Sequence, residues 1–126
     1  MKQATRQVLL AGAVVIASTT YAEVIDIAWD GRGEFGKAIE VPAGGFAELC
    51  GKLAGGQTIQ WQFTGTTAMD FNIHYHVGEK VEFPAKQDGI AASNGVLETR
   101  ASQDYCWMWR NRSKEVATLE VALKTR

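Results

Sequence analysis

The sequence predicts an all-β fold: one domain built as an antiparallel β-sandwich of about eight short strands. Three observations predict it. Apolar residues recur with period two, not three and a half; glycine and proline turns such as Pro42-Ala43-Gly44-Gly45 and Gly55-Gly56 punctuate short strands; and neither a repeat nor a low-complexity stretch interrupts this pattern. Hydrophobic residues make up 46% of the 126 positions, enough for one core and too few residues for a multidomain enzyme.

The first 22 residues are expected to be a secretory signal peptide. Lys2 and Arg6 precede the apolar run Val8–Ala17, and Thr20 and Ala22 stand at −3 and −1 of a cut before Glu23. The run is shorter than the roughly 20 residues of a membrane span, so no span is expected in the mature chain, 23–126. Without the leader, 11 Lys+Arg face 14 Asp+Glu, a net charge of −3. A mildly acidic domain has no electrostatic footprint for nucleic acid. The chain is accordingly expected in the periplasm, or secreted.

Each element follows from the alternation. Val24–Trp29 opens the mature chain as a strand. Lys37–Val41 and Phe46–Cys50 flank the turn Pro42-Ala43-Gly44-Gly45, and Glu48–Leu53 also has helix-compatible spacing. After Gly55-Gly56, Thr58–Phe63 puts Ile59, Trp61 and Phe63 on one face and Thr58, Gln60 and Gln62 on the other. Phe71–Val77 turns at Gly78 into Lys80–Phe83, which Pro84 is expected to end. Asn94-Gly95 reads as a turn, with Gly95–Ala101, Asp104–Arg110 and Val116–Lys124 completing the set. The aromatics Trp61, Phe63, Phe71, Tyr75, Tyr105, Trp107 and Trp109 are expected to build the core.

Cys50 and Cys106 are the only cysteines. An even count in an exported chain points to one disulfide, closing a loop of 56 residues. A free, metal-binding thiol is the alternative.

Three segments resemble the GOLD domain of the emp24-type cargo receptors. They are Leu49-Cys50 with Gly55-Gly56 and Ile59–Phe63, then Asp70-Phe71-Asn72-Ile73, and finally Tyr105–Asn111. The family's second cysteine stands where Met108 is here; two positions share a strand face, so a bridge from Cys50 to Cys106 survives the shift. The resemblance implies a jelly-roll or GOLD-like sandwich used for binding. The coiled coil and membrane anchor of those receptors have no counterpart here, so a cargo-receptor role does not carry over.

If the aromatics point inward, Asn72, His74 and His76 point outward, as do Cys106, Met108 and Arg110. Both histidines of the chain thus share one face of one strand. Imidazole with thioether favours copper, especially Cu(I), over magnesium or calcium. The candidate metal ligands are therefore His74, His76 and Met108, in a small copper carrier or buffer with a metal-handling or envelope partner. Zinc is less favoured, with Glu79 and Glu82 the nearest acidic candidates. A ligand set including a Cys106 thiolate would require the disulfide to be broken. The alternative is a module with no metal, whose outward face docks a protein or other ligand. No catalytic signature stands out, so no enzyme is expected: Asp70 with His74 or His76 lacks a serine at a strained turn. Asn111-Arg112-Ser113 matches a glycosylation acceptor but reads better as a turn.

Overall fold

The computed structural model describes residues 11–13 and 22–126; the expected leader otherwise lies outside the described residues. Among these residues there are seven strands and no helix: β1 (Ala22–Asp26), β2 (Glu34–Val41), β3 (Phe46–Leu53), β4 (Thr58–Val77), β5 (Lys80–Glu98), β6 (Gln103–Arg110) and β7 (Ala117–Thr125). Their order is β1-β3-β6-β4-β7-β2, with β5 on the other side of β4. Every pairing is antiparallel except that of β1 with β3, which is parallel at the sheet's end.

The 20-residue β4 makes the sandwich. Its first half, Ile59–Gly65, pairs with β7, and its second, Asp70–His74, pairs with β6. Between them the register with β5 also shifts, from Thr64 opposite Ala92 to Met69 opposite Ile90. Such an irregularity bends a strand from one layer into another. One layer thus holds β1, β3, β6 and the β4–β5 turn end; the other holds β2, β7 and the open end of the same hairpin.

Side chains from both layers meet in an aromatic centre. Phe71 lies 5.0 Å from Trp61, 4.7 Å from Phe63 and 5.6 Å from Trp109, ring centre to ring centre. Trp107, Trp109, Leu49, Ile59 and Leu119 are fully buried around it. The expected aromatic core is therefore present, and Tyr75 packs on Tyr105 at its margin, 5.1 Å away.

Four local expectations are corrected. Glu48–Leu53 is strand, because it pairs residue by residue with Gln103–Met108 of β6. Thr58–Phe63 and Phe71–Val77 are one strand, and so are the two pieces of β5, which lowers the count to seven. Pro84 does not end its strand: β5 pairs with β4 alone, and a proline at a bulge of an edge strand gives up no ladder hydrogen bond. Asn94-Gly95 is not a turn but mid-strand, opposite Gln62 and Trp61. Glycine is required there because a Cβ would sit 2.5 Å from a carbon of the Trp61 indole, which lies flat on the strand.

Cys50 and Cys106 stand opposite each other in the β3–β6 ladder and form the disulfide. The buried Asn111 ties the two turns beside it together. Its amide donates to the carbonyls of Val41 (3.1 Å) and Glu115 (2.7 Å), and its Oδ1 accepts from the Ser113 N–H (3.0 Å). This side chain is a turn organiser, inaccessible as a glycan acceptor.

Candidate functional site

The outer face of the β3–β6–β4 layer is a short ladder of non-core residues. Across it run two rungs, Glu48–Met108–Asn72 and Cys50–Cys106–His74. The alternation therefore places His74, His76 and Met108 on one face, as read from the sequence, with Trp107 and Trp109 buried on the other.

His74 departs from expectation in one respect: it is only 6% exposed. The cover comes from β5. Ile73 pairs with Ala85 and Tyr75 with Glu82, so Phe83 and Pro84 together fall opposite His74. That extra residue is a bulge, and it brings the Phe83 ring to 6.1 Å from the imidazole. Lys86 Nζ lies 5.3 Å over the outer side of the same ring.

Both nitrogens of His74 have neighbours. Nδ1 lies 2.7 Å from Asn72 Oδ1, and Nε2 lies 3.6 Å from Glu48 Oε1. With Oδ1 accepting, the proton sits on Nδ1 and Nε2 keeps its lone pair. Burial holds the His74 pKa below the ordinary histidine value; the Glu48 carboxylate pulls it up and His76 pushes it down, but burial prevails. The ring is thus held neutral beside a carboxylate.

The His76 ring lies 5.4 Å from that of His74, edge to face, and is exposed. Among the described residues, the one trio of His, Cys, Asp or Glu with ligand atoms within 4.8 Å of one another is Glu48, Cys50 and Cys106. Its two sulfurs are bonded to each other, which leaves no thiolate. Glu48, which sequence reasoning missed, is the acidic group nearest His74. It arrives from β3, and only the strand order reveals it. Glu82 instead stands opposite Tyr75, on the other face from His76.

Beyond His76 the β4–β5 hairpin continues into its turn. There Val77, Val81 and Phe83 are 48%, 39% and 47% exposed, three of the six large apolar side chains that face solvent among the described residues. Glu79, Lys80 and Glu82, all exposed, alternate with them along the turn. At the opposite end of the same strands, Asp70 accepts from the Gly89 N–H (3.0 Å) and is ion-paired with Arg112. The Arg112 guanidinium, foremost, holds the Asp70 carboxyl below the usual carboxylate range. Asp70 is therefore committed to a structural pair rather than to either histidine.

No family model matches the chain, and no curated protein matches it. Solved structures do. The periplasmic inhibitor of g-type lysozyme, PliG, from Aeromonas hydrophila superposes with a TM-score of 0.66 at 16% identity, over 83% of this chain and 97% of that one. The pre-peptidase C-terminal domain of the Bacillus anthracis collagenase gives 0.59 at 12%, over 84% and 97%. PliG from Salmonella Typhimurium gives 0.56 at 10%, over 82% and 99%. At such identities the likeness establishes an all-β fold of this architecture, and no GOLD family is shown.

Proposed function

We propose that this protein is an exported binding module of the cell envelope, not an enzyme, and that it docks a protein partner through the tip of its β4–β5 hairpin. The observation that carries the reading is that Val81 and Phe83 stand exposed on one face of the β4–β5 tip, beside His76, with Val77 exposed on the opposite face. Contiguous apolar surface with a polar rim is the pattern of an interface. Two proteins of similar fold are described as periplasmic lysozyme inhibitors, which makes a g-type lysozyme the first partner class to test.

The test is a cell-wall lysis assay with a g-type lysozyme, titrated with the mature protein and with Val81→Asp/Phe83→Asp. Inhibition by the wild type that the double variant loses supports the reading. Neither binding nor inhibition overturns the partner class, and inhibition unchanged in the variant overturns the surface.

A second reading is favoured by one detail. His74 Nε2 lies 3.6 Å from Glu48 Oε1, and Met108 stands beside Glu48 on the rung next to that of His74. We propose that this spot, joined by a rotated His76, takes Cu(I) in a small carrier or buffer. Imidazole and thioether are the donor types for that ion. An anaerobic Cu(I) competition titration decides it. Stoichiometric binding lost in His74→Ala/His76→Ala supports the site, and the same affinity in both proteins ends it.

A further inference from the structure

The free edge of β5 differs between its halves. From Lys80 to Gly89 it carries Lys80, Glu82, Lys86 and Asp88, the proline at position 84, and register shifts against β4. Charges, prolines and bulges of this kind keep an edge from pairing with another chain. From Ala92 to Glu98 the strand instead holds an unbroken register of seven pairs with β4, and it carries no charge before Glu98. Val96 on its outer face is 50% exposed, although nothing at the hairpin tip is near it in sequence. This segment has the regularity of an inner strand and the position of an outer one.

We infer that a second copy of this chain pairs with the Ala92–Leu97 edge, antiparallel and two-fold symmetric about Asn94, joining two sheets into one. The sequence is self-complementary about that residue. Asn94 meets Asn94 of the copy, and a carboxamide supplies both the donor and the acceptor that its twin needs. Val96 meets Ala92, large against small, which covers its exposed side chain; Ser93 meets Gly95. Neighbouring registers fail on the same grounds. A centre at Ser93 sets Asn94 against Ala92, and a centre at Gly95 sets Asn94 against Val96, amide against apolar in both. Closed two-fold symmetry also leaves no further edge of this kind exposed, so assembly stops at the dimer.

The inference is independent of the hairpin-tip reading, since it uses the other half of β5. Its test combines mass and register. Sedimentation of the mature protein over a wide concentration range should show a reversible monomer–dimer equilibrium. Val96→Lys should remain monomeric, with the thermal midpoint of the dilute, monomeric wild type, whereas Val24→Lys, at a valine 62% exposed on β1, should dimerise as the wild type does. Asn94→Cys should give a disulfide-linked dimer on mild oxidation, because directly opposite Cα atoms lie about 4.5–5.5 Å apart. Glu98→Cys should not, since its two copies would be roughly 26 Å apart. A wild type that stays monomeric throughout, a dimer that survives Val96→Lys, or cross-linking as ready from Glu98→Cys as from Asn94→Cys would each overturn the inference.

Discussion

Replacing Asn111 with alanine tests how this small sandwich is held together, and the cost can be worked from three contacts. The carboxamide is fully buried and saturates the Val41 carbonyl, the Glu115 carbonyl and the Ser113 N–H. Ser113 and Glu115 lie at an accessible turn, so water can replace the lost side chain there. The Val41 carbonyl belongs to a wholly buried residue and cannot be rehydrated without opening the β2–β3 turn. A buried group left without a partner costs about 1–3 kcal/mol, and the two exposed contacts add about 0.5–1.5 kcal/mol each. Asn111→Ala should therefore destabilise the domain by about 2–6 kcal/mol, a large share of a typical margin of roughly 5–15 kcal/mol. Urea denaturation followed by tryptophan fluorescence measures it. Asn111→Asp should fare worse at neutral pH, because a carboxylate still accepts from Ser113 but faces two carbonyl oxygens with no proton to offer. It should recover in part as the solution is acidified. A loss below about 0.5 kcal/mol for Asn111→Ala would refute the view that this residue organises both turns.

Three further predictions follow from single features. Cys50→Ala/Cys106→Ala removes a closure of 56 residues, worth about 4 kcal/mol by chain entropy, and should lower the thermal midpoint by roughly 15–30 °C; a shift of a few degrees would contradict it. Burial lowers the His74 pKa in the folded state, so the unfolded chain binds the extra proton first. Its contribution to stability is complete above the ordinary value of 6.5 and is lost as pH falls from there through the lowered folded value, so His74→Gln should flatten the stability profile between pH 8 and that range; an unchanged slope would show that His74 is not the group responsible. Gly95→Ala forces a methyl to 2.5 Å from the Trp61 ring, so a loss of about 1–3 kcal/mol is expected in denaturant melts.

The strands and the core were legible because burial on one face writes itself as alternation: Ile59, Trp61, Phe63 and Phe71 point inward as read. Their continuity was not. Gly89, Asn94-Gly95 and Pro84 carry the local chemistry of turns, yet here they serve bulges and a tight indole contact inside one long edge strand. Only the partner strand decides between these uses. The candidate site divides the same way. Two-residue spacing places His74, His76 and Met108 on one face, but the lid over His74 comes from Phe83 through a bulge, and the carboxylate beside it from β3. Both are long-range contacts that no spacing within FNIHYHV encodes.

If the β4–β5 tip is the docking surface, a bound partner must shield it from solvent. Hydrogen–deuterium exchange on the mature protein, with and without a saturating g-type lysozyme, tests it most directly. Slowed exchange confined to the residues around Val77, Val81 and Phe83 is the predicted result. Unchanged exchange at the tip, with protection elsewhere or nowhere, would contradict it.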